Sequence, residues 1–111
     1  MTLRTKKIIE FCLLTVPAGM YALGFWLNQL VIAANGGTMP VLVANCTAND
    51  MDGDRIHACM THASHLKFLA DWINLHVAIA SPGDLLLWFG DYLMVPCLAL
   101  FLYSILTREN E

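Results

Sequence analysis

Apolar residues fill two long stretches of this chain, and the polar positions between them define everything else. No Asp, Glu, Lys or Arg occurs from Phe11 to Asn49, and from Leu85 to Thr107 Asp91 alone interrupts the run. A helix rises about 1.5 Å per residue, so about 20 apolar residues cross the roughly 30 Å hydrocarbon core of a bilayer. Each stretch is long enough for one crossing. The first is longer than one span needs, and Asn35-Gly36-Gly37 supplies a helix stop inside it, because Asn and Gly accept the left-handed conformation that ends helices. The pattern predicts a first transmembrane helix over 8–34, an outer loop over 35–59 and a second transmembrane helix over 84–107.

Between them, residues 60–80 fit a helical period. His62, His65, Leu66, Leu69, Trp72, Ile73 and His76 fall on one side at 100° per residue, with Lys67, Asp71 and Asn74 on the other. This predicts an amphipathic helix lying on the outer membrane surface. The expected fold class is therefore an all-α membrane protein: a two-helix transmembrane hairpin, an outer amphipathic helix and a loop.

Several positions refine the spans. Pro17 and Pro96 lie inside them and favour bends. Ala18, Gly19, Ala22 and Gly24 give the first helix small side chains, on which another backbone can pack closely. Ser81-Pro82-Gly83-Asp84 is a helix start: Ser81 suits the N-cap, Pro82 the first turn, and Asp84 the positive end of the helix dipole.

Composition agrees with a membrane location. The 111 residues are 58% hydrophobic and 14% charged, against roughly 25% charged in soluble proteins. Arg4, Lys6, Lys7 and Arg108 flank the spans on their outer sides, whereas Arg55 and Lys67 are the only bases between them. Positive charge accumulates on the cytoplasmic side. Both termini are therefore expected in the cytoplasm and residues 35–84 outside the membrane, in the periplasm or extracellular space. The net charge of −3 offers no basic footprint for nucleic acid.

Cys46 and Cys59 share the outer loop, where an oxidising compartment favours a disulfide between them. Cys12 and Cys97 fall within the spans and are expected to pack as apolar side chains.

Three groups of residues bear possible chemistry. Asp50-Met51-Asp52-Gly53-Asp54 has the alternating carboxylates of an EF-hand opening, but Arg55 stands where that loop needs its glycine and Thr61 where it needs a glutamate. It reads as a solvated acidic turn. His62 and His65, one helical turn apart in the expected helix, are candidates for a metal, haem or pigment, although amphipathic histidines at an interface explain them more simply. Asp91 lies within a span, where an ionisable group is costly. It is expected to pair with Asn28 or Gln29 at similar depth, or else to mark a proton or ion path. No nucleophile–base pair, phosphate loop or dinucleotide fingerprint occurs, so catalysis is not expected, and no cofactor is required.

Three boxes, Asn35-Gly36-Gly37-Thr38-Met39-Pro40-Val41, Phe68-Leu69-Ala70-Asp71 and Ala80-Ser81-Pro82-Gly83-Asp84-Leu85-Leu86, resemble the pattern of a bacterial family of multi-span membrane proteins of unknown function. The resemblance covers roughly residues 24 to 95. It implies an inner-membrane protein in which the NGG-x-MPV and S-x-GD segments lie side by side at the outer surface. That family has no assigned activity, so the resemblance carries over no catalytic residue. Together these features predict a small accessory or assembly subunit, surrounded by lipid and by other membrane-protein subunits or further copies of itself.

Overall fold

The computed structural model describes residues 2–47, 50 and 54–108. Two long helices, α1 (Leu3–Ala34) and α2 (Pro82–Arg108), form a hairpin, and the segment joining them folds into a cap at one end. The molecule measures 63 × 25 × 20 Å.

α1 begins five residues earlier than the apolar pattern indicates, because Thr2 caps it: the Thr2 hydroxyl accepts a hydrogen bond from the Thr5 N–H at 3.2 Å. The helix passes through Pro17 and ends at the glycine stop. There the Gly37 N–H donates to the Ile32 carbonyl at 2.8 Å, and Gly36 takes a positive φ of 69°. This is the six-to-one closure that satisfies orphan carbonyls at helix ends.

The two helices meet along a seam with a seven-residue repeat. On α1 the buried residues are Glu10, Pro17, Gly24 and Val31; on α2 Gly83 and Gly90 are buried and Cys97 and Ser104 half-buried. Such a repeat is the spacing of a left-handed supercoiled pair. Glycines bring the backbones together. A methyl group on Gly24 would collide with the Gly83 carbonyl, and one on Gly90 would lie 2.8 Å from both the Pro17 carbonyl oxygen and the Tyr21 nitrogen.

Of the four small residues, Gly24 packs against α2 within the hairpin. Ala18, Gly19 and Ala22 face outward, and a side chain added at Gly19 would meet nothing within 4 Å. With Pro17 and Gly24 on the seam, Ala18 lies about 100° away from it and Gly19 about 200°. Cys12 is likewise exposed.

The cap replaces the amphipathic helix expected over 60–80. That stretch contains a single 3₁₀ turn, Lys67–Leu69, and a short antiparallel ribbon; the cap's strands are β1 (Met39–Val41), β2 (His57–Cys59), β3 (Ile73–Asn74) and β4 (Ile79–Ala80). β1 and β2 pair in parallel, with Met39 opposite His57, and β3 pairs antiparallel with β4. Asp71 extends the first pair: its N–H donates to Pro40 O at 3.1 Å, and its carbonyl accepts from Leu42 N at 2.8 Å.

These backbone bonds outcompete the helical period. Leu66 and His76 have φ values of 53° and 68°, which no α-helix allows. Asn74 fixes the second break by accepting the His76 N–H on its side-chain oxygen at 2.8 Å, an Asx turn. Leu66 and Leu69 of the apparent helical stripe instead cover the hairpin's end, where with Ile32 and Met60 they flank a small core of Val31, Met39 and Ala70.

Cys46 and Cys59 form the expected disulfide, tying the β1–β2 connection to the end of β2. Asn35 fastens the cap to α1. Its side-chain nitrogen donates to His65 O at 2.9 Å while its side-chain oxygen accepts from His65 N at 2.7 Å, as a neighbouring strand would.

Candidate functional site

The described polar groups concentrate where the cap meets the hairpin. At the start of α2, the Asp84 N–H donates to the Ser81 hydroxyl oxygen at 3.0 Å, and the Ser81 N–H donates to Asp84 Oδ2 at 3.1 Å. This reciprocal cap satisfies two orphan donors. Asn28 of α1 reads both partners: its Nδ2 donates to Asp84 Oδ1 at 2.8 Å, and its Oδ1 accepts from Ser81 Oγ at 2.7 Å. Gly83 permits the approach, since a methyl group there would collide with the Asn28 amide.

The cap brings Asp71 and His57 to this cluster. Asp71 is 4% exposed, and its Oδ1, closed off from solvent, has no hydrogen-bond partner among the described residues. His57 Nε2 stands 3.5 Å from Asp71 Oδ2, and its Nδ1 lies 2.6 Å from Asp54 Oδ2. Burial, and then the neighbouring Asp84 carboxylate, push the Asp71 carboxyl up to about 6, with His57 opposing the rise. Asp54 is held below its ordinary range by the His57 and Ile56 N–H groups it accepts. A cavity of about 250 Å³ opens among these groups, lined by Asn28, Gln29, His57, Asp71 and Asp84 on its polar side and by Phe25, Ile32, Met39, Ile56 and Leu87 on its apolar side.

The three sequence boxes therefore converge. Met39 and Pro40 of the first box pair with or pack beside Asp71 of the second, and Ser81 and Asp84 of the third complete the cluster. A family model covering residues 15–96 matches the chain and spans every residue of this site. The chain belongs to DUF5317, a family of unknown function. The site lies wholly inside the match, whereas Glu10 and Ser104 at the opposite end of the seam lie outside it. No curated protein and no solved structure matches the chain.

The other candidates fall elsewhere. His62 and His65 are exposed in a turn, so the helix meant to align their rings is absent. The described residues contain no group of three or more His, Cys, Asp or Glu side chains arranged to hold a metal ion. Of the EF-hand-like stretch, Met51, Asp52 and Gly53 lie outside the described residues. Asp50 caps the turn at Thr47, whose N–H it accepts at 2.6 Å.

Asp91 does not pair with Asn28, whose amide is occupied by Ser81 and Asp84, nor with Gln29. The contact of Gly90 with Pro17 and Tyr21 sets Asp91 near the level of Ala18, about 15 Å from Asn28 along the helix axis. Asp91 is exposed there, without a hydrogen-bond partner among the described residues.

Sequence reasoning missed three residues of consequence. Asp71 falls on the polar face of the helix that the sequence pattern predicts. Glu10, one residue before the charge-free run, is buried on the seam and accepts a hydrogen bond from Ser104 Oγ at 2.7 Å. Gly90 is the third. The repeat Gly83, Gly90, Cys97, Ser104 was the available signal for the last two.

Proposed function

We propose that this protein is a membrane-embedded helical hairpin that serves as a small subunit of a larger membrane complex, completed by a partner helix seated against Asp91. Both helices are long and apolar enough to cross a bilayer, and only 17% and 6% of their most apolar windows are buried. A core helix of a water-soluble protein would bury its apolar surface; these present it outward. The two polar layers of the seam, Asn28 with Ser81 and Glu10 with Ser104, are eighteen residues apart on α1. That is about 27 Å, close to the roughly 30 Å hydrocarbon thickness. Charge distribution supports cytoplasmic termini and a cap on the outer side of an inner membrane.

Asp91 is the observation that carries the subunit reading. It lies between the two polar layers, exposed on α2, which also carries an outward apolar groove of Leu85, Trp88, Phe89 and Tyr92. A carboxylate facing hydrocarbon costs roughly 3 kcal/mol at the helix centre. A partner helix offering a Lys, Arg or amide side chain at that depth removes the cost. Blue-native electrophoresis after gentle extraction is expected to show a complex well above 12.3 kDa that dissociates in Asp91→Leu; a monomer band for the wild-type chain would overturn the proposal.

The same position suits a second reading, in which several copies gather their Asp91 side chains around a proton or ion path. Flux into vesicles containing the purified chain alone, abolished by Asp91→Asn, would favour that reading.

A further inference from the structure

We propose that the cavity between cap and hairpin is a binding site for the ammonium group of a protonated primary amine. Asp71 and Asp84 line the cavity together, and the imidazole that faces them, His57, places its Nε2 3.5 Å from Asp71 Oδ2 while its Nδ1 is engaged by Asp54 at 2.6 Å. Both Asp84 oxygens accept hydrogen bonds, from Asn28 and from Ser81. Asp71 differs. It is 4% exposed, and although its Oδ2 faces His57 Nε2 at 3.5 Å, its Oδ1 has no partner among the described residues; a buried acceptor left in that condition is costly.

The walls select the ligand class. A hydrated or multiply coordinated metal ion needs several anionic or imidazole ligands in a closed arrangement, which the described residues do not provide. An ammonium group instead needs acceptors on one side and tolerates apolar surface on the other. Phe25 and Leu87 supply that surface, and an aromatic face attracts a cation directly. A volume of about 250 Å³ admits a headgroup of a few heavy atoms, at roughly 30 Å³ for each water-sized unit. The amine can belong to a free solute or to an aminoethyl lipid headgroup, since the site lies at the outer end of the hairpin.

The test uses the full chain purified in detergent, with unfolding followed by tryptophan fluorescence. Ethylammonium chloride is expected to raise the melting temperature more than tetramethylammonium or sodium chloride at equal ionic strength. Asp71→Asn should weaken ethylammonium binding about ten-fold, as loss of a charged hydrogen bond implies. Phe25→Leu, which leaves the acids in place and removes an exposed ring, should weaken it about three-fold. If Asp71→Asn does not melt cooperatively, the Phe25→Leu result decides. In nanodiscs, stabilisation by phosphatidylethanolamine over phosphatidylcholine, with no added effect of ethylammonium, identifies the lipid headgroup; an equal ethylammonium effect in both identifies the free amine. Equal shifts with sodium, or shifts that persist in both variants, overturn the site. None of these readouts depends on a partner at Asp91.

Discussion

The hairpin and its cap are held together by different means. Along the seam, α1 and α2 approach through glycines and a proline, with little side-chain volume between them, so their attraction is close backbone packing supplemented by hydrogen bonds at each end. The cap has short strands and a small core of Val31, Met39 and Ala70, and relies on a disulfide, backbone pairing and the Asn35 clamp on His65. Close packing tolerates no added atoms, whereas a cross-linked cap tolerates surface change and fails when its links are cut.

The largest expected effect comes from filling the seam. Gly90→Leu places side-chain atoms where even a methyl group lies 2.8 Å from the α1 backbone, and should destabilise the hairpin by about 3 kcal/mol or more. Circular dichroism melts in detergent measure this. Gly19→Leu, on the open face, should change the same melt by less than about 0.5 kcal/mol. If the two variants melted alike, the seam would be misassigned.

Cutting the Cys46–Cys59 link should cost the cap about 3 kcal/mol in the chain-entropy account. Hydrogen exchange is expected to accelerate in residues 39–41 and 57–59 on reduction while the middle of α1 and α2 stays protected. Uniform acceleration in both regions would show that cap and hairpin unfold as one unit.

A smaller effect, confined to the junction, comes from pH. The Asp71 carboxyl titrates at about 6 in the folded protein against 3.8 unperturbed, so the folded state binds this proton more tightly than the unfolded chain. Its contribution is complete below about pH 4 and is lost as the pH rises through 6, by at most about 3 kcal/mol over that interval. Asp71→Asn should flatten this part of the pH profile of the melting temperature. A profile unchanged by the substitution would remove Asp71 from the junction's electrostatics.

How much of this was legible in the sequence depended on whether a residue's role was local. The helix stop at Asn35-Gly36-Gly37 and the cap at Ser81 and Asp84 are formed by neighbours in the chain, and both were readable. The disulfide was readable because two cysteines flank one polar loop. The apolar period of residues 60–80 fits a helix, but Asp71 bonds to a strand some thirty residues earlier, a pairing that no local window contains. Asp71, Asn28 and Asp84 form a site for the same reason, since each meets partners supplied by other elements. Asp91 was recognised as an anomaly, but its depth and outward direction follow from the Gly90 contact with Pro17 and Tyr21.

The two apolar helices, the points where the first ends and the second begins, and the residues able to close the loop between them are all set by local order along the chain. Hydrophobicity, glycine conformational freedom and N-capping act over a few residues, so they are written into the local order. Which face of each helix forms the seam, the building of the connecting segment as a strand-based cap, and the burial of Asp71 beside Asp84 are set by folding in three dimensions. Those outcomes depend on backbone bonds and close contacts between distant segments, and they settled competitions that local preference left open.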